Sequence, residues 1–303
     1  MSKRIWSHWY RNTGAKYGNF GDELGPYIIR KLSQDSVHHL PFPRSGFLLF
    51  LSATRAFIMR RRGIRDYIDC IRFIFSGDDY VLSAGSIIAW GSGPRRIIWG
   101  SGIISLQDKI PAAKFLAVRG EETRKLLIEQ GHSAPDVVGD PGLLAPMVYT
   151  PSLGKKHQLG VVLHYIHADE IDAASLPDGV IVINLLDDIE TVIEAICSCE
   201  RILSTSLHGI IVAHAYRISA LWVDVPTLPL TGDNVKFKDY FSSVGIASYT
   251  PLHLKEIDMR NVDEVFAGRA KQSDTQVDLD LLRKNLLSVA PFKLAEPYAL
   301  LEG

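Results

Sequence analysis

Residues 201–225 read RILSTSLHGIIVAHAYRISALWVDV, and this stretch constrains the fold more than any other. The apolar pair Ile202 and Leu203 leads into Ser204, Thr205 and Ser206, then Leu207, His208 and Gly209. An apolar run of helical character follows over 210–216, and a second strand-like run over 221–225. Strand, tight polar turn, helix and strand make the repeating unit of an open α/β sheet. Its turn lies at the carboxyl end of a strand, where ligands bind in such sheets. The same turn offers backbone N–H groups at a helix N-terminus, a natural anion site. His208 is then either a proton-transfer group beside a bound anion or a residue that caps the helix and fills the sheet edge. This stretch alone does not separate the two.

The unit recurs along the chain. Residues 4–10 (RIWSHWY) are predicted as an aromatic-rich strand. Residues 12–25 (NTGAKYGNFGDELG) are predicted as a loop, with a helix beginning near Pro26 in its first turn. Asn19, Gly21 and Asp22 thus fall between a strand and a helix, either as a phosphate or sugar contact or as a turn and N-cap. Neither a GxGxxG nor a P-loop sequence is present, which excludes both nucleotide fingerprints. Predicted strands at 80–84, 96–99 and 113–118 end in Gly85-Ser86, Gly100-Ser101-Gly102 and Arg119-Gly120, as parallel strands lining one crevice would. A helix over 121–130 stops at Gly131, and a short strand at 136–138 precedes the turn Gly139-Asp140-Pro141-Gly142.

Residues 150–158 are polar and carry Pro and Gly, and the pattern then restarts. Strands are expected at 159–165 and 180–184, a helix at 187–198, a short helix or ordered loop at 233–243, and an amphipathic terminal helix at 277–290. Two successive sets of strands and helices predict an α/β protein of two Rossmann-like domains, 1–150 and 151–303, facing a cleft.

Residues 44–75 stand apart. Arg44, Arg55, Arg60, Arg61, Arg62, Arg65 and Arg72 are interleaved with aromatic and aliphatic residues and opposed only by Asp66 and Asp69. In a chain whose formal net charge is −1, this concentration suits a helix lying on an anionic membrane surface better than a helical pair with a solvated arginine edge. The same neutral balance gives no global case for nucleic-acid binding. Three cysteines, Cys70, Cys197 and Cys199, are too few for a zinc site and read as free thiols in a reducing cytosol, with Cys197 and Cys199 expected on a helix. Residues 1–12 lack the apolar core of a signal peptide, and no apolar run is long enough to span a bilayer.

Seven short motifs occur in an order that resembles the polysaccharide pyruvyl transferases, closest to the ketal-forming branch that decorates xanthan- and succinoglycan-type exopolysaccharides. Asn19-Phe20-Gly21-Asp22 is similar to that family's N-x-G-D turn, and Gly85-Ser86 with Trp99-Gly100-Ser101-Gly102 to its strand ends. Val118-Arg119-Gly120, Thr123 and Gly139-Asp140-Pro141-Gly142-Leu143-Leu144 resemble two further signatures. His164-Tyr165, Ser204-Thr205-Ser206-Leu207-His208-Gly209 and Lys236-Phe237-Lys238-Asp239-Tyr240 complete the set. The chain departs from many members at Ser206, where they carry Arg, although the ketal-forming branch also has Ser there. It departs again at Leu163, where a Pro is usual.

The resemblance implies a GT-B-like fold with an acceptor-side N-terminal half and a donor-side C-terminal half. It implies phosphoenolpyruvate as co-substrate, no cofactor, and an acceptor sugar on a polyprenyl-diphosphate-linked oligosaccharide at the cytoplasmic face of a bacterial membrane, where the protein would sit peripherally. A ketal across two hydroxyls needs cations for phosphate and carboxylate, a proton donor at C3 and a base for the hydroxyls. Arg119 is the expected bidentate cation, or else a salt-bridge partner of Glu121 or Glu122. Lys236 and Lys238 are further cations, one of which can simply be a solvated helix face. His208 is the expected central acid/base, helped by Thr205 and Ser206. His164 is a second candidate, against an ordinary core histidine, and Asp22 with Asn19 would position or deprotonate an acceptor hydroxyl. Gly21, Gly85, Gly100 and Gly102 would let backbone approach the ligand, beside Ser86 and Ser101. Trp99 is either a sugar platform or core. No His/Cys/Asp cluster has metal-ligand spacing. The rival readings are a nucleotide-sugar glycosyltransferase of the same fold and a non-catalytic partner that holds a polysaccharide assembly complex at the membrane.

Overall fold

The computed structural model describes residues 4–11, 17–41, 46–59, 64–91, 93, 95–152 and 154–301. Ten strands form two five-stranded sheets in which every pairing is parallel. The first sheet contains β1 (Arg4–Ser7), β2 (Ser36–His39), β3 (Tyr80–Leu82), β4 (Arg96–Trp99) and β5 (Lys114–Ala117), in the order β2-β1-β3-β4-β5. The second contains β6 (His157–Leu163), β7 (Val180–Asn184), β8 (Cys199–Ser204), β9 (Ser219–Asp224) and β10 (Leu252–His253). Read from β7, its order is β7-β6-β8-β9-β10, so the two sheets repeat one topology. In this order the strand sequence reverses between the first and third strands, and the crevice at that switch point is where such sheets bind ligands. The switch points are therefore the carboxyl ends of β1 and β3 in one half and of β6 and β8 in the other.

Eleven helices cover the sheets among the described residues: α1 (Phe20–Ser33), α2 (Gly46–Ile58), α3 (Ile64–Ser76), α4 (Glu121–Glu129), α5 (Ala145–Val148), α6 (Ile189–Cys197), α7 (Leu207–Ala215), α8 (Val235–Ser243), α9 (Val262–Ala267), α10 (Ala270–Ser273) and α11 (Leu279–Ser288). α1 starts six residues before Pro26, earlier than its composition predicts. Asn19 is its extended N-cap, and Asp22 and Glu23 suit the positive end of the dipole. Pro26 sits in the second turn and has no N–H to donate to the Asp22 carbonyl. Gln34 ends the helix in the left-handed conformation, its N–H on the Arg30 carbonyl. Cys197 ends α6 and Cys199 opens β8, so the Cys-x-Cys pair straddles a helix and a strand rather than lying on a helix, and none of the three cysteines is in a disulfide among the described residues.

The apolar core does not stop at residue 150. Phe20, Leu24, Ile28, Val81 and Trp99 belong to the same buried cluster as Val162, Ile193, Ile210, Ile211 and Leu286. α1 is the bridge: it packs on α6 and α7 of the second half as well as on α5 and β2 of the first. Trp99 is wholly buried, donates Nε1–H to the Leu286 carbonyl at 3.0 Å and meets Phe292 edge-on, which makes it a core residue rather than a sugar platform.

α2 and α3 pack as a hairpin over the first sheet, burying Leu49, Ala53, Cys70 and Phe73. Their outer side keeps Ile58 (73%) and Phe75 (83%) exposed, together with Leu48, Leu51, Ile64, Ile68, Arg55, Arg65 and Arg72. Arg44, Arg60, Arg61 and Arg62 lie outside the described residues. No helix among the described residues is long and apolar enough to cross a membrane.

Candidate active site

The carboxyl end of β8 turns at Thr205 and Ser206 into α7, with Ser206 as its extended N-cap. Ser204 Oγ accepts the Ser206 N–H at 3.0 Å and lies 2.8 Å from the Ser206 carbonyl, which ties the turn to itself. Thr205 Oγ1 accepts the backbone N–H of His164 at 2.8 Å, so the ends of β6 and β8 are locked across their switch point. His164 follows β6 directly, and its ring lies 4.5 Å from that of Tyr165.

His208, the second residue of α7, crosses onto the second residue of α1. A Cβ on Gly21 would stand 2.3 Å from His208 Nδ1, so only glycine leaves room for the ring. The N-termini of α1 and α7 therefore meet at His208, and both helix dipoles are positive there. The α1 start is further held by the Phe20 N–H on the Leu185 carbonyl at 2.8 Å. Asp22 accepts an N–H from the Asn19 side chain at 2.8 Å. On the other edge of the ring, His208 Nε2 lies 3.9 Å from Asp140 Oδ2.

Burial dominates the electrostatics. It pushes Asp22 up to about 6, against the pull of Asn19, with Glu23 adding to the rise and Lys236 opposing it. It pushes Asp140 up to about 6, opposed by the Gly142 N–H and Arg119. It holds His208 down at about 3, helped by the positive charges of Arg119 and Lys236 and by His164. His164 is also held at about 3 by burial, then by Lys236 and His167. Lys236 falls to about 8 through burial and Arg119, with Asp22 pulling it back. Asp22, Lys236, His208 and His164 are linked through Lys236, and Asp140 joins them by its approach to His208 and through Arg119: two imidazoles neutral at pH 7, two carboxylates raised to about 6 and an ammonium lowered to about 8.

Arg119 stands behind this cluster. It is wholly buried; its Nε donates to Asp239 Oδ2 at 2.9 Å, Nη1 to Ser86 Oγ at 2.6 Å and Nη2 to the Ile103 carbonyl at 2.7 Å. Its ion pair is thus with Asp239 on α8, not with Glu121 or Glu122. Asp239 also accepts from the backbone N–H and the hydroxyl of Thr123, at 2.8 and 2.7 Å. Ser86 is spent on Arg119, and Ser101 Oγ and the Gly102 N–H both donate to the Gly85 carbonyl, at 2.9 and 3.0 Å.

The space over three of the four selected glycines is filled from within. His208 lies over Gly21, Pro141 over Gly100 and Arg119 over Gly102. Gly85 has φ near +108°, and a Cβ there would meet only Ile87 Cγ1, at an ordinary 3.8 Å, so of these four it is the one not filled from within. Lys238 is exposed and lines a separate surface cavity with Leu106, Glu122 and Asp233; it is the solvated face of α8, and Lys236 is the cation turned to the cluster.

Two residues were not assigned roles by sequence reasoning. Asp140 appears only within a turn signature, and its N-capping pattern before Pro141 hides the second carboxylate oxygen. Asp239 betrays itself by position, a lone acid among the buried Phe237, Tyr240 and Phe241. Among the described residues no group of three His, Cys, Asp or Glu side chains is placed to hold a metal ion.

The two parallel sheets and the acid–base cluster where α1 meets α7 define an α/β protein whose candidate site draws residues from both halves. Comparison with known proteins makes this specific. A family model described as polysaccharide pyruvyl transferase matches residues 7–226, which carry all of this site but α8. The chain belongs to the polysaccharide pyruvyl transferase family. It is also similar to "Uncharacterized protein L143" of Acanthamoeba polyphaga mimivirus, 31% identical over 167 residues, which is 52% of this chain and 58% of that relative's length.

Proposed function

We propose that the protein transfers pyruvate from phosphoenolpyruvate to two hydroxyls of one sugar in a polysaccharide repeat unit, forming a ketal and releasing phosphate. The observation that carries this reading is the neutral His208, seated over Gly21 where two helix N-termini meet, 3.9 Å from Asp140 and within the field of Lys236. Lys236 and the α1 and α7 termini bind the donor's phosphate and carboxylate. The first hydroxyl adds to C2 as its proton passes to C3. The second hydroxyl then displaces phosphate, to which its proton goes, and the ring closes. His208 moves protons in these steps, with Asp22 orienting the acceptor and His164 beside the donor. With Arg119 neutralised by Asp239, the donor's charge falls mainly on Lys236.

The test is ligand-dependent stability and product mass. A ligand at a hundredfold over its Kd stabilises the folded state by about 2.7 kcal/mol. Phosphoenolpyruvate is expected to raise Tm in the native chain and in Lys238→Met, and not in Lys236→Met. Incubation with phosphoenolpyruvate and a panel of lipid-linked or aryl glycosides should add a carboxyethylidene group, read by mass spectrometry. Stabilisation by a UDP-sugar in place of phosphoenolpyruvate would assign the site to a glycosyltransferase instead.

The α2–α3 hairpin fits an anionic membrane surface, which would bring the site to an acceptor carried on polyprenyl diphosphate at the inner face of the membrane. Its exposed apolar residues and arginines have the composition of an interfacial pair of helices. Sedimentation with vesicles rich in phosphatidylglycerol is expected, weakening with salt. The double variant Ile58→Glu, Phe75→Glu should bind at least tenfold less, each lost apolar side chain being worth on the order of 1.5 kcal/mol. Equal sedimentation of both proteins would remove the membrane assignment and leave the chemistry untouched.

A further inference from the structure

Asp140 is the member of the cluster to which the reaction above assigns no step. Its Oδ1 accepts the Gly142 N–H at 2.8 Å and caps the Pro141–Leu144 turn. Its Oδ2 is buried with no hydrogen-bond partner among the described residues, and His208 Nε2 is in the same condition. A buried polar atom left unpaired costs about 1–3 kcal/mol, and here two such atoms face one another across 3.9 Å. That gap is about 1 Å longer than a hydrogen bond and leaves no room for a water on the line between them. A small tilt of the His208 ring closes it, and hydrogen bonds between catalytic groups commonly tighten only when substrate is bound.

We propose that Asp140 is the positioning residue of His208: it accepts the Nε2–H, holds the ring in that tautomer, and leaves Nδ1, over Gly21, as the edge that takes a hydroxyl proton. Nδ1 gains the proton and the imidazolium forms with its Nε2–H still on Asp140. The same proton then leaves Nδ1 for the donor, and the pair returns to its starting charge. The burial shifts agree, because near neutral pH Asp140 is the ionised partner and His208 is the neutral ring. Gly142 supports the geometry from below: a Cβ there would meet Ile211 at 2.8 Å, Asp140 Oδ1 at 3.1 Å and Leu24 at 3.1 Å, so the capping turn is pressed against both α1 and α7. The catalytic consequence rests on the proposed pyruvyl transfer; the tautomer does not.

Nitrogen-15 NMR of the histidine-labelled full chain tests both halves separately. His208 is assigned by its loss in His208→Gln. The native protein is expected to show His208 protonated at Nε2, and a ring protonated at Nδ1 overturns the proposal without any Asp140 variant having to fold. Asp140→Asn keeps an oxygen for Gly142 and sets an amide N–H opposite Nε2. The ring should then switch to the Nδ1–H tautomer, and kcat should fall by about 10²–10⁴-fold, the loss expected of a misoriented catalytic histidine, with the KM for phosphoenolpyruvate within about threefold of native. An unchanged tautomer in Asp140→Asn, or a switched tautomer with native kcat, overturns it. A switch observed in a protein that does not turn over phosphoenolpyruvate keeps the Asp140–His208 pair and removes the pyruvyl transfer.

Discussion

His208→Gln is expected to lower kcat for pyruvyl transfer by about 10²–10⁴-fold, the usual worth of a general acid–base group, while leaving the unfolding midpoint nearly unchanged. The side chain retains 12% exposure, and a glutamine of similar reach fills the same place and can set its amide N–H toward Asp140. Gly21→Ala reaches the same end by a different route, because its methyl group would push the ring from its seat. In the native enzyme, kcat/KM for the donor should follow a bell. Below about 6, Asp22 and Asp140 are protonated and the base assembly is lost; above about 8, Lys236 loses its proton and with it the attraction for the anionic donor. Native turnover in His208→Gln would transfer the acid–base role to His164 or Asp22.

Asp239→Ala is expected to cost about 3–5 kcal/mol, the usual penalty for leaving a buried charge without its partner. Arg119 and Asp239 are both wholly buried, and among the described residues no other carboxylate lies within ion-pair distance of Arg119. Burial pushes Asp239 upward while Arg119 and the two Thr123 donors pull it down, so the pair adds little net stability although its rupture is expensive. A loss on this scale is at least about a fifth of the stability of an ordinary domain. It should appear as a lowered urea midpoint and weakened donor binding together, since the same ion pair docks α8, and hence Lys236, against α4. Pairing the change with Arg119→Met should recover most of the stability and none of the donor binding. A midpoint equal to the native one in Asp239→Ala alone would show that Arg119 finds another acceptor.

Much of the fold is visible in the residues themselves. Apolar strands closing on Gly, Ser or Arg-Gly turns locate β3, β4, β5 and β8, apolar runs alone locate β6 and β7, and the acid-led helix before β8 is where its charge pattern puts it. β2 was not anticipated, because SVHH carries none of the apolar alternation that marks a strand; β1 and the packing of His39 against Trp9 make it one. The start of α1 was placed late because Gly21, Gly25 and Pro26 read as breakers, whereas tertiary packing of Phe20, Leu24 and Ile28 overrides their weak local cost. The site was legible as types of residue on strand ends, and His208, Asp22, His164 and Lys236 are where those types converge. Ion pairing was less legible. For Arg119 the sequence offers a bound anion or the neighbouring Glu121 and Glu122, while its partner lies 120 positions away on α8. No local pattern encodes such a distance; only the folding of the second half onto the first creates it.

The bridging role of α1 has a mechanical consequence. One face of this helix seats His208 at Gly21, and its apolar residues lie in a core that belongs to both sheets. Swinging the sheets apart like the covers of a book would strip α1 from α7 and expose that core, at roughly 25 cal/mol for every square ångström of apolar surface wetted. The spine of the book is glued. Access to the cluster must then come from local movement of strand-end loops, and a change of acceptor preference can arise by altering those loops without disturbing the rigid frame that holds the proton-carrying groups in register.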